Sequence, residues 1–113
     1  MTWTEAIHGT VRQWTTIRDS IGTAPPVDLL TEINAVCDLC EKSEAEAGSG
    51  IERCRYCLFY QQFGGCQEVS GRMSEAVVEQ DWDRLRQLVD QMIEGLEKLK
   101  VPPEALVRLA ATA

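Results

Sequence analysis

Two Cys-x2-Cys motifs, Cys37-Asp38-Leu39-Cys40 and Cys54-Arg55-Tyr56-Cys57, stand thirteen residues apart and are followed by a fifth cysteine, Cys66. Four thiols at this spacing can close a tetrahedral shell around one metal ion. A chain that does so must bring two separate stretches of backbone to a single point, which excludes most arrangements of the segments around them. At 113 residues the chain has the size of a single domain with one core, so residues 1–113 are expected to fold as one unit.

The pattern along the chain is helical. Thr2-Trp3-Thr4-Glu5 fits a capping box, and Trp3, Ile7, Val11, Trp14, Ile17 and Ile21 recur at three- and four-residue steps until Gly22. Pro25-Pro26 makes a stiff turn into a second helix, on which Leu29, Leu30, Ile33, Val36, Cys37 and Cys40 share one face. Residues 47–50 (Ala-Gly-Ser-Gly) read as a turn, and Ser49-Gly50-Ile51-Glu52 as the cap of a third helix carrying Ile51, Cys54, Cys57, Leu58 and Gln61. Gly64-Gly65 closes that helix. Val78, Trp82, Leu85, Val89, Met92, Leu96 and Leu99 then follow a regular 4-3 spacing, with Asp81 as a second N-cap and Val101-Pro102-Pro103 as the stop. A short turn of helix is expected over 104–111. No segment alternates with period two, so the expected fold is all-α, a four- or five-helix bundle with a cysteine-bearing antiparallel hairpin.

On helices, residues three apart are neighbours, so each motif presents two sulfurs to one ion. An antiparallel hairpin through residues 47–50 sets Cys37 near Cys57 and Cys40 near Cys54. Zinc held by Cys37, Cys40, Cys54 and Cys57 is the leading expectation, with Cys66 as a stand-in for one of the four or a free thiol. A closed zinc shell leaves no position for substrate, so the site would be structural. Lys42, Arg53 and Arg55 lie beside the ligands in sequence and would offset the charge of four thiolates. An iron–sulfur cluster on the same cysteines, shielded by Tyr56, Phe59, Tyr60 and Phe63, is the alternative. The third option is a pair of disulfides, Cys37–Cys57 and Cys40–Cys54.

Several known patterns are similar in part. Twin-cysteine hairpins of the mitochondrial intermembrane space have three residues inside each motif, and this chain has two. The first zinc module of nuclear-receptor DNA-binding domains has the same Cys-x2-Cys-x13-Cys-x2-Cys spacing, but no basic cluster follows Cys57 here and no second module appears. Zinc ribbons and rubredoxins usually have Gly after the second cysteine, where this chain has Glu41 and Leu58. Over residues 37–99, the order of the two motifs, Gly65-Cys66, a serine and an amphipathic helix ending Leu96-Glu97-Lys98-Leu99 resembles small uncharacterised proteins of phage and prophage type. That group usually has Pro where this chain has Leu58. The resemblance implies a cysteine-ligated metal site and brings no activity with it.

Composition narrows the function further. The net charge is −7, and seven acids against the single Lys42 between Pro26 and Glu52 supply most of it. Such a stretch repels phosphate backbones, so no nucleic-acid partner is expected. The apolar runs are far shorter than the ~20 residues of a membrane span, so no membrane association is expected either. The N-terminus has no basic leader or apolar run, which places the chain in a reducing cytoplasm, where metal sites are commoner than structural disulfides. His8 reads as a surface residue, and Trp3, Trp14 and Trp82 as core. No phosphate loop, nucleophile elbow or His-Glu-x2-His helix is present. The sequence therefore reads as a small, non-enzymatic metal-binding protein, with a protein partner or a second copy of itself as the expected associate. A redox protein using the same cysteines is the competing class.

Overall fold

The capping box at the N-terminus forms as the sequence requires. In the computed structural model, which describes residues 1–47 and 56–101, the Glu5 N–H donates to Thr2 Oγ1 (3.1 Å) and the Thr2 N–H donates to Glu5 Oε1 (3.1 Å). From it runs α1, Trp3–Ser20, which buries Trp3, Ala6, Ile7, Thr10, Trp14 and Ile17. Gly22 ends it, with φ of +92° that a side chain rarely adopts. Pro26 occupies the first position of α2, Pro26–Ile33, as its fixed φ favours.

The second helix does not continue through the first cysteine motif, as the sequence led us to expect. Asn34 stands at its C-cap: its Nδ2 donates to the Leu30 carbonyl (2.8 Å), which also accepts from the Asn34 N–H (3.2 Å), and to Ser74 Oγ (3.3 Å), so the side chain ties the helix end to the helix that holds Ser74. Val36, placed on the apolar face by periodicity, is 54% exposed. The chain then restarts as α3, Asp38–Ala47, with Cys37 at its cap, the Cys37 carbonyl accepting from the Glu41 N–H (3.1 Å). The expected turn over 47–50 and the start of the third helix, Cys54 included, fall mostly outside the described residues. Beyond them, Cys57 caps α4, Leu58–Phe63, instead of lying inside a longer helix.

Gly64, with φ of +89°, turns the chain from α4 into α5, Cys66–Val78, a helix not read from the sequence. α5 ends in a Schellman motif. The Asp81 N–H reaches the Ala76 carbonyl (2.9 Å) and the Gln80 N–H reaches Val77 (3.0 Å), with Gln80 at φ +56°. Asp81 then caps α6, Trp82–Glu97, by accepting from the Arg84 N–H (3.2 Å). Of the expected 4-3 stripe, Leu85, Val89, Met92 and Leu96 are buried and Leu99 is partly buried, but Val78 belongs to α5 and is 73% exposed. The left-handed turn at Gln80 separates the two faces.

The fold is the all-α bundle that the sequence predicts, and no strand occurs among the described residues. α1 packs on α6 and on α3; α5 packs on α6 and α2; α4 rests on α6. Among the described helices, the principal partner of α3 is α1. The stretch after α6 is tied to α4 by a reciprocal pair, Gln62 Nε2 to the Lys100 carbonyl (2.8 Å) and the Lys100 N–H to Gln62 Oε1 (3.1 Å). The sequence-derived helix over 104–111 lies outside the described residues.

Candidate metal centre

Three helices begin with or immediately after a cysteine: α3 after Cys37, α4 after Cys57, and α5 at Cys66. Cys40 lies one turn inside α3. All four thiols line one cavity of about 390 Å³, whose apolar walls include Ile33, Leu39, Phe59 and Met92. The sequence placed Cys37 and Cys40 late in a helix, where the dipole opposes a thiolate. The break at Asn34 puts them at a helix start, where free N–H groups favour one.

Cys37 and Cys57 stand at the cap positions of α3 and α4, and the Cys57 side chain makes no capping hydrogen bond. Ser, Thr, Asp and Asn commonly hold this position. Hydrogen bonding from the Cys40 thiol is the largest influence on Cys37, whose pKa falls to about 6 despite burial. Cys40 moves up in turn, because its proton is held between the two sulfurs, with burial and the Cys37, Cys66 and Cys57 sulfurs adding to the shift. For Cys57, burial holds the thiol up. Cys37 and Cys40 thus titrate as neighbours, with Cys66 and Cys57 near enough to push Cys40 further up.

Two buried hydroxyls support this end of the molecule. Thr10 of α1 donates to the Ala6 carbonyl (2.9 Å), accepts from the Leu39 N–H (3.3 Å) and lies within hydrogen-bonding reach of the Cys37 sulfur. Ser43 of α3, fully buried, donates to the Leu39 carbonyl (2.7 Å) and also faces Cys57. Neither was read from the sequence. Thr10 left a signal nonetheless, as a polar residue in the apolar stripe between Ile7 and Trp14, where Val11 was assigned and is only partly buried. Gly9 lies beside it, where a Cβ would meet the Asp38 carboxylate and turn it aside.

Lys42, expected beside the thiolates, instead sits buried with its Nζ 5.4 Å from the centre of the Trp3 ring and 3.3 Å from Glu46 Oε1. Arg53, Arg55 and Cys54 lie outside the described residues. Cys37, Cys40, Cys57 and Cys66 are free thiols, and among the described residues no three His, Cys, Asp or Glu side chains are gathered closely enough to hold a metal ion. Trp3 and Trp14 are core residues, Trp82 is half-buried, and His8 is exposed on α1. No described helix is long and apolar enough to cross a membrane.

The class defined by this architecture is an all-helical protein with a thiol-lined cavity at one end of its bundle. Comparison with protein families, curated proteins and solved structures finds no match.

Proposed function

We propose that this chain is a small, non-enzymatic metal-binding protein of the cytoplasm in which thiolates staple the short helices α3, α4 and α5 to the α1–α6 pair. Cys37, Cys40 and Cys57 supply three ligands, and Cys54 or Cys66 supplies the fourth. One observation carries the reading: four thiols from three separate helix starts line the same cavity. A tetrathiolate zinc site has a net charge of −2, and the free N–H groups at the start of α3 and α5 offset such a charge without a neighbouring lysine or arginine. The rigid unit that results fits an interaction role, with a protein partner or a second copy, and the acidic surface argues against nucleic acid.

Elemental analysis of the purified chain tests the proposal. The expected result is one equivalent of zinc, lost in Cys37→Ser, Cys40→Ser and Cys57→Ser. Retention in only one of Cys54→Ser and Cys66→Ser identifies the fourth ligand. A chain that binds no metal under reducing conditions rules the reading out. The volume of the cavity, about 390 Å³, favours a second reading, since one zinc ion needs far less room than a cluster of iron and sulfide. Brown colour with bound iron and acid-labile sulfide after anaerobic purification would select the cluster.

A further inference from the structure

Exposure divides the cavity's cysteines. Cys57 is buried, whereas Cys37, Cys40 and Cys66 are each partly open to solvent. Cys37 and Cys40 also line the same cavity, with Cys37 immediately before α3 and Cys40 in its first turn. A cap residue and the residue three positions inside the helix have Cα atoms close to the ~4.4–6.8 Å that a disulfide spans. The bond can form there without moving one helix against another. A bridge between Cys57 and Cys37 would instead tie the start of α4 to that of α3, and Cys57 is the most buried residue of the four described cysteines.

The geometry points to a reversible dithiol–disulfide couple at Cys37 and Cys40, which reacts with low-molecular-weight disulfides and expels the bound metal as the bridge closes. The link to metal rests on the function proposed above. The Cys37 thiolate attacks one sulfur of the disulfide, forming a mixed disulfide and releasing one equivalent of thiolate. Cys40 gives up its proton to that thiolate or to water and attacks the Cys37 sulfur, releasing the second thiol. Two protein thiols are oxidised and one disulfide is reduced to two thiols, so electrons balance. Two of four ligands are then consumed, and the remaining sulfurs do not complete a tetrahedral shell. The bond from the Leu39 N–H to Thr10 involves neither thiol, so the start of α3 keeps this anchor on α1 while a reductant restores the dithiol.

The test uses the full chain loaded with zinc and equilibrated in mixtures of oxidised and reduced glutathione. Released zinc is read with a metallochromic dye, and the thiols are trapped and mapped by mass spectrometry. Zinc should leave in step with a Cys37–Cys40 bridge and return with excess reduced glutathione. Cys40→Ser should accumulate glutathione on Cys37. If that variant does not fold, as circular dichroism will show, mapping on the unaltered chain decides. Zinc-bound protein that forms no bridge, or bridges through Cys57 or Cys66, overturns the inference and leaves the metal site standing. A chain that binds no zinc yet bridges Cys37 to Cys40 overturns the metal site and leaves the couple standing.

Discussion

The two ends of this bundle are held together by different means. Along one side, α1 and α6 run 18 and 16 residues and pack through continuous apolar stripes, with Ile17, Leu85 and Val89 all buried away from the cavity. At the other, α3 has 10 residues and α4 has 6, their starts surround a cavity, and the buried set includes Thr10, Ser43 and Lys42. Helices shorter than about 12–15 residues are marginal on their own. The long pair draws its stability from burial at roughly 1.5–3 kcal/mol per large apolar side chain. The short helices have fewer such residues and more sulfur, and the proposed cross-link through the cysteines would supply the cohesion they lack.

Metal removal is the strongest way to break that comparison. Structural zinc contributes on the order of 10 kcal/mol to folding in finger peptides. Chelation should therefore release α3 and α4 while leaving α1 and α6 folded. Amide hydrogen exchange would show protection lost over 38–47 and 58–63 and retained over 10–17 and 85–96. Uniform loss would mean that the ends are one cooperative unit.

Leu85→Ala approaches the comparison from the other side. Leu85 is fully buried in the long-helix half, and truncation of such a residue costs about 2–5 kcal/mol. The denaturant midpoint should fall accordingly while zinc stoichiometry stays unchanged. Loss of metal from a variant that is still folded would show that the apolar half also sets the geometry of the cysteines.

A third measurement compares thiols within the cysteine end. In the metal-free chain, iodoacetamide should modify Cys37 with a midpoint near pH 6, the reaction falling away as the pH drops through that value. An ordinary thiol titrates near ~8.5, so at neutral pH Cys37 should carry roughly thirty times the thiolate fraction. Cys57, pushed upward by burial, should react last. Equal rates at the two would remove the distinction between an open and a buried half of the site.

What the sequence made legible follows the same division. In the long-helix half, each local signal agrees with the packing: the Thr2/Glu5 box, the Gly22 stop, Pro26 at the first position of α2, the Asp81 cap and the Leu85–Leu96 stripe. In the cysteine half, the decisive events lack the usual signals. α2 ends at Asn34 without glycine or proline, and the Asn34 side chain contacts Leu30 and Ser74, which is 40 residues away. Cys37 and Cys57 occupy the cap positions in place of the oxygen-bearing residues by which caps are recognised. α5 carries Gly71 in its middle, and its buried positions, Met73, Ala76 and Val77, form too short a run to establish a period. The cysteines themselves were legible as candidates, but not their position at helix starts, because that depends on tertiary contacts with α1 and α5.

The smallest expected effect comes from one substitution made in two places. Gly71 and Gly9 both lie inside helices, where alanine is favoured over glycine by about 1 kcal/mol. At Gly71 a Cβ meets no heavy atom within 4 Å, so the propensity gain should appear in full and Gly71→Ala should raise the urea midpoint. At Gly9 the added methyl meets the Asp38 carboxylate at the junction of α1 and α3. Overpacking of this kind costs about 1–3 kcal/mol, which equals or exceeds the gain. Gly9→Ala should therefore be neutral to about 2 kcal/mol destabilising. It should also loosen α3 from Thr10 and raise the alkylation midpoint of Cys37. If Gly9→Ala stabilises the protein as Gly71→Ala does, the close approach of α3 to α1 is not what holds the first cysteine pair in place.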